Sequence, residues 1–244
     1  MSQHICAVFF DLFDTLYLHP EPRDRVQEYI GRAQRVGVGV SREAMVQALT
    51  ELENHIASKV VREPNFAALK ARNAMEYYAY WSAQLLRLLG ASGDLEARGL
   101  RMCEEYVRDD GLFLDPQAVE VLTELRRCGL ATGLITNSPK LLLEVLPTLA
   151  ITDLLDNVTI SSVVGFEKPD SRIFWLAANY IGLAPAQCVL VGDTPAADIV
   201  GAKDSGMTGV LINRDNRHKQ PGVDCYQIEQ LYQVLDVIDL LNSK

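Results

Sequence analysis

Four polar clusters in the 244-residue chain carry side chains able to do chemistry: residues 11–15 (DLFDT), Thr136 with Asn137, Lys168 with Pro169, and residues 193–198 (DTPAAD). Asp11 comes directly after the apolar run ICAVFF. An aspartate in that position is costly to desolvate unless a partner meets it. A carboxylate is also a weak nucleophile unless it is well positioned and the negative charge of its electrophile is neutralised, which a divalent cation such as Mg²⁺ does by bridging oxygens. Asp11 and Asp193 offer two hard oxygen ligands, and without a cation between them two facing carboxylates repel. Asp198 is expected in the first turn of a helix, able to ligate directly or through water. Thr136 brings a hydroxyl that can hydrogen-bond a phosphoryl oxygen, and Lys168 brings a point charge for the same group. Taken singly, Thr136 and Asn137 read as cap or turn residues, Lys168 as a solvated surface lysine and Asp198 as a helix N-terminal charge. Their joint order overrides those separate readings.

The elements that must position these residues are legible as apolar runs. Residues 5–10, 130–135 (LATGLI), 188–192 (CVLVG) and 207–212 (MTGVLI) read as buried parallel strands, with 157–160 (NVTI) a weaker fifth. Helical spacing links Ala118, Val121, Leu122 and Leu125, and again Ile228, Leu231, Leu235 and Ile238. Strand and helix alternate, which predicts an α/β fold: a Rossmann-like parallel sheet with helices on both faces and ligands at the carboxyl ends of the strands. Residues 17–114 break the alternation and read as an all-helical insertion, with helices near 23–36, 41–60, 64–89 and 94–108. Gly37, Gly39, Gly90, Gly93 and Gly111 punctuate it, and Pro20, Pro22 and Pro116 mark its joints. The expected domains are therefore a core of 1–16 and 115–244 and an inserted domain of 17–114. The stripe Tyr77, Tyr78, Tyr80, Trp81, Leu85, Leu86 and Leu89 reads as helix packing rather than a ligand cage.

Composition narrows the function classes. Hydrophobic residues at 48% and charged residues at 23% are the usage of a folded globular chain and exclude a disordered one. A net charge of −9 works against binding to nucleic acid or an anionic membrane, because both draw on clustered Lys and Arg, so neither is expected as a partner. Cys6, Cys103, Cys128, Cys188 and Cys225 are scattered, odd in number and without a C-x-x-C pair, which predicts free thiols in a reducing compartment and no zinc site. Cys6 and Cys188 sit in apolar runs and read as small buried hydrophobes. No apolar run approaches the ~20 residues of a membrane span, and a cytoplasmic protein is expected.

In this order and spacing, FFDLFDTL, LITNSP, FEKPDSRIF and LVGDTPAAD resemble the signature motifs of the haloacid dehalogenase-like hydrolases, and the helical insert is similar to the cap of that superfamily's subfamily I. The resemblance implies that Asp11 attacks phosphorus, that Asp11, Asp193 and the backbone carbonyl of Phe13 hold Mg²⁺, and that Thr136 and Lys168 steady the phosphate. Water then hydrolyses the aspartyl-phosphate. Substrate contacts are expected from Thr136, Asn137 and Lys168, and the substrate is expected to be a small phosphorylated metabolite.

One residue departs from the pattern. Typical phosphatases of the superfamily carry a second aspartate two residues after the nucleophile as general acid and base; here that residue is Phe13. Asp14 is expected in a turn role, and His19 as a solvated histidine rather than a replacement acid. An aromatic residue at position 13 is similar to the D-x-Y-G-T pattern of 2-haloacid dehalogenases, whose fourth motif lacks the glycine-aspartate pair seen here as Gly192 and Asp193. The leading reading is a Mg²⁺-dependent phosphatase. The alternatives are a non-catalytic binding or regulatory protein on a disabled hydrolase scaffold, and a 2-haloacid dehalogenase. A phosphonatase-type Schiff base would need a cap lysine, for which Lys59 and Lys70 are available.

Overall fold

The computed structural model of the chain describes residues 4–19, 24–63, 74–108, 112–214 and 224–243. Its strands are β1 (Ala7–Phe10), β2 (Tyr17–Leu18), β3 (Phe113–Leu114), β4 (Ala131–Thr136), β5 (Asn157–Ile160), β6 (Cys188–Gly192), β7 (Thr208–Ile212) and β8 (Tyr226–Ile228). Its helices are α1 (Arg25–Arg35), α2 (Arg42–Arg62), α3 (Ala74–Leu88), α4 (Leu95–Arg108), α5 (Ala118–Arg127), α6 (Leu142–Val145), α7 (Ser161–Val164), α8 (Ser171–Tyr180), α9 (Gly201–Ser205) and α10 (Val234–Asn242).

Two compact units form. One comprises Met1–Leu18, Phe113–Asn137 and Leu146–Lys244; the other comprises His19–Leu112 and Ser138–Val145. The first is an α/β unit whose six strands pair in parallel in the order β5-β4-β1-β6-β7-β8. From β1 the chain builds outward through β4 to β5, then returns to the other side of β1 with β6 and continues to β8. That reversal opens a crevice at the carboxyl end of β1, where ligands bind in open α/β sheets.

β1 is buried along its whole length, which is why it reads as a continuous apolar run rather than an alternating one. Ala7 and Phe9 pack in one cluster with Ile173, Phe174, Ala177 and Ala178 of α8. Val8 and Phe10 point to the opposite face by the two-residue alternation and are equally buried. Burying one such phenylalanine stabilises the fold by about 1.5–3 kcal/mol. In α5 the residues Ala118, Val121, Leu122 and Leu125 form its buried face, as their spacing predicts.

Ile228 belongs to β8, not to a helix, and the helix is Val234–Asn242 with Val234 and Ile238 buried. Leu231 lies in a 3₁₀ turn between them. The helical spacing of these four apolar residues, Ile228, Leu231, Leu235 and Ile238, is shared by accident across a strand, a turn and a helix.

The second unit is helical. Asp24 caps α1 by accepting from the Gln27 amide, and Ser41 caps α2 by accepting from the Ala44 amide. Gly90, at φ 73°, ends α3 in the left-handed region. Leu85 and Leu86 are buried in this unit's core, with Tyr77, Tyr80, Trp81 and Leu89 packed on it, so the aromatic stripe is helix packing. Tyr78 is exposed. Expected boundaries shift at both joints. Tyr17 and Leu18 pair antiparallel with Leu114 and Phe113 and so stay with the α/β unit. The segment Ser138–Val145, expected in the core domain, groups with the helices because α6 packs on α4. Pro20, Pro22, Gly111 and the start of the helix expected at 64–89 lie outside the described residues. All five cysteines are free thiols; Cys188 is buried as expected, whereas Cys6 is only half-buried. Among the described residues no helix is long and apolar enough to cross a membrane.

Candidate active site

Parallel register decides which side chains meet at the crevice. Phe10 is aligned with Leu134 on β4 and with Val191 on β6. One residue further, the Asp11 amide donates to the Val191 carbonyl at 2.9 Å. Asp11, Thr136 and Asp193 therefore emerge within a residue or two of one another from three adjacent strands. Thr136 is the buried last residue of β4.

Lys168 closes the site. Its Nζ lies 2.6 Å from Asp11 Oδ1 and 2.6 Å from Asp198 Oδ1, and the Lys168 and Asp198 side chains are 2% and 1% exposed. Water is thus excluded from both charges, and only their pairing makes such burial tolerable. Asp198 is held from its other oxygen as well, where Oδ2 accepts from the Thr194 amide at 2.9 Å. The segment Pro195–Val200 is a π-helical turn leading into α9 rather than the first turn of an α-helix. Asp198 reaches inward because Gly192 has no side chain: a Cβ there would sit 2.6 Å from the Asp198 Cβ and closer still to its Cγ and Oδ2. Asp193 Oδ1 accepts from the Thr194 hydroxyl at 3.2 Å.

Asp11, Asp193 and Asp198 each place a carboxylate oxygen within 4.8 Å of the other two. Burial raises Asp11 above the usual carboxylate range; Lys168 opposes this, while repulsion from Asp198 and Asp193 reinforces it. Burial likewise pushes Asp193 up to about 6, helped by repulsion from Asp198 and Asp14. Burial works against the Lys168 ammonium, but the attraction of Asp11 and Asp198 outweighs it and keeps the group charged. Two carboxyls held high by desolvation and by repulsion from neighbouring carboxylates, with hard oxygens converging, are a donor set that fits a divalent cation.

The remaining expected residues are placed as follows. Asn137 was expected to contact substrate, but its amide is engaged by the Lys168 backbone: Nδ2 donates to the Lys168 carbonyl at 3.0 Å and Oδ1 accepts from the Lys168 amide at 2.8 Å. Its side chain fixes the segment that carries the lysine, and no local sequence signal ties position 137 to position 168. Phe13 is half-buried and bridges to Tyr17. Asp14 is in a turn as expected, with φ 59° in the left-handed region. His19 is buried, not solvated, and belongs to the helical unit. Lys59 pairs with Glu63 at 2.9 Å and stands 5.1 Å over the Tyr80 ring. Lys70 lies outside the described residues.

Residues 5–206 match the family model of the haloacid dehalogenase-like hydrolases. The chain belongs to this family. Haloacid dehalogenase-like hydrolases similar to it include the phosphoserine phosphatase of Thermus thermophilus, 31% identical over 226 residues that cover 88% of this chain and 91% of the relative. A glyceraldehyde 3-phosphate phosphatase of Methanopyrus kandleri is 33% identical over 246 residues, covering 96% and 97% of the two chains. A solved structure of a 2-haloacid dehalogenase from Pseudomonas syringae superposes with a TM-score of 0.68 over 97% of this chain and 99% of that one, at 22% identity. That likeness establishes the shared haloacid dehalogenase-like fold. The chain is accordingly an α/β hydrolase with its polar strand ends gathered around Asp11.

Proposed function

We propose that the protein is a Mg²⁺-dependent phosphomonoesterase acting on a small phosphorylated metabolite through an aspartyl-phosphate on Asp11. The observation that carries this reading is the buried Asp11–Lys168–Asp198 pairing with Asp193 beside it. The phosphatase names of relatives aligned over most of the chain support it. A carboxylate trio also suits a cation-assisted phosphoryl transfer better than a metal-free displacement at carbon.

Asp11, Asp193 and the Phe13 carbonyl would hold Mg²⁺, with Asp198 ligating directly or through water. When bound, the cation neutralises charge on the phosphoryl oxygens. Lys168 orients Asp11 through Oδ1 and presents its charge to the phosphate, and the Thr136 hydroxyl donates to a phosphoryl oxygen. The free carboxylate oxygen of Asp11 attacks phosphorus and the bond to the leaving oxygen breaks. Water then attacks the acyl-phosphate, releasing inorganic phosphate and restoring Asp11. Asn137 serves as a positioning residue for Lys168. Phe13 cannot give a proton to the leaving oxygen, so alcohols that depart readily as anions are the favoured leaving groups.

The test measures phosphate and halide release in parallel across phosphomonoesters and 2-haloacids, with and without Mg²⁺, for the wild type and Asp11→Asn. Mg²⁺-dependent phosphate release that Asp11→Asn abolishes is expected. Halide release indifferent to Mg²⁺ would establish a dehalogenase instead, and no turnover of either class would establish a binding protein.

A further inference from the structure

The turn that follows Asp11 is tied internally and from two distant points of the chain. Within it, the Leu12 carbonyl accepts from the Leu16 and Tyr17 amides at 3.0 and 2.8 Å, and the Asp14 amide donates to the Tyr17 carbonyl at 2.6 Å. Asp14 takes the left-handed conformation, at φ 59°, that lets the chain reverse so tightly. The turn also carries the carbonyls of Asp14, which is half-buried, and of Thr15, which is fully buried. Buried carbonyls need partners.

Arg214, just beyond β7, supplies them. Its Nη1 donates to the Asp14 carbonyl at 2.7 Å and its Nη2 to the Thr15 carbonyl at 3.0 Å. The same Nη2 donates to Asp115 Oδ2 at 2.6 Å. Asp115 is itself fixed: its amide donates to the Leu16 carbonyl at 2.8 Å, and its Oδ1 accepts from the Gln117 amide at 2.8 Å. The Arg214 and Asp115 side chains are 19% and 7% exposed, so the pairing is shielded from competing water. A guanidinium is suited to this task because its planar fork presents several donors in fixed directions, whereas an ammonium is a point charge.

We propose that Arg214, braced by Asp115, is a positioning residue that orders residues 12–16 and so sets the backbone around the reacting carboxylate. The inference rests on the reading of Asp11 as the nucleophile, but the ordering of the turn is measurable without it. Displacing a reacting group by about 1 Å costs on the order of 10²-fold in rate. Arg214→Met keeps an unbranched apolar stem and removes every side-chain donor; Arg214→Lys keeps the charge and loses the fork.

The experiment combines hydrogen–deuterium exchange on peptides spanning residues 11–17 with steady-state kinetics on p-nitrophenyl phosphate in Mg²⁺. Expected for Arg214→Met are faster exchange confined to that turn and to the neighbourhood of Asp115, a fall in kcat of roughly 10- to 100-fold and a KM within about threefold of wild type. Arg214→Lys should recover part of kcat. A merely structural role would instead lower the amount of folded enzyme, leaving kcat per folded molecule unchanged, and that result overturns the proposal. Unchanged exchange in the turn also overturns it, whatever the kinetics. If the wild type turns over no phosphomonoester, the reading of Asp11 fails, while faster exchange in Arg214→Met still upholds the ordering of the turn.

Discussion

Gly192→Ala puts the geometry of the site to a quantitative test. The added methyl would lie 2.6 Å from the Asp198 Cβ and nearer its carboxyl atoms, against a comfortable separation of about 3.5–4.0 Å. Something must therefore move by about 1 Å. Asp198 cannot move freely, because Lys168 holds one oxygen at 2.6 Å and the Thr194 amide holds the other at 2.9 Å. Overpacking a well-filled site costs about 1–3 kcal/mol. Losing a hydrogen bond to a charged group adds about 1.5–3 kcal/mol. Together these give roughly 2.5–6 kcal/mol, and at about 2–4 °C per kcal/mol for a chain of this size the melting temperature should fall by on the order of 10 °C. Urea titration should show a lowered midpoint at unchanged slope. The decisive assay is a double-mutant cycle with Asp198→Gly, which removes the Cβ and the carboxyl atoms that the methyl would strike. If the clash is the cause, the two substitutions are strongly sub-additive, by more than 1 kcal/mol. Simple additivity, or a Gly192→Ala protein as stable as wild type, would refute the claim that the missing Cβ makes room for Asp198.

Other outcomes follow from the same site. Asp193→Asn should abolish most of the thermal stabilisation that Mg²⁺ gives the wild type; equal stabilisation of both proteins would remove Asp193 from the ligand set. Without Mg²⁺ the sign reverses. Asp193 is raised to about 6 in the fold by burial, above its ordinary 3.8, so the folded state holds more protons than the unfolded one between those pH values. Its contribution is fully present below about pH 4 and is lost as pH rises through about 6. In chelator at pH 7, Asp193→Asn should thus be more stable than wild type, by on the order of 3 kcal/mol, and the gap should close toward pH 4 in thermal melts. A gap independent of pH would show that desolvation of this carboxyl is not its source. Phe13→Asp should speed hydrolysis of alkyl phosphates by part of the ~10² to 10⁴ that a positioned acid provides, and aryl phosphates by less. A wild-type rate flat against leaving-group pKa would show that another residue already supplies the proton.

The strands that carry Asp11, Thr136 and Asp193 were legible in the sequence, because a parallel strand buried on both faces must be apolar throughout and its polar successor stands out. The same logic exposed the insertion, where the alternation of strand and helix stops. It failed for β8, whose three residues are too few to show a period, so Ile228 was drawn into the spacing of the following helix. Residue type and order were enough to name Lys168 and Asp198 as candidates. They were not enough to show that the lysine bridges Asp11 and Asp198, because both partners arrive through separate crossovers and only the sheet register brings their atoms to 2.6 Å. Asn137 looked like a substrate contact because it follows Thr136, yet its amide is taken up by a backbone 31 residues away. Arg214 carried no signal at all. Its significance lies in two carbonyls and a carboxylate contributed by positions 14, 15 and 115. The sequence by itself therefore determined which groups are buried at strand ends, since burial is written locally in apolar runs. Only the tertiary structure decided which of them pair, since hydrogen bonds act over about 3 Å and those distances are set by strand register and crossover connections that no local stretch of chain encodes.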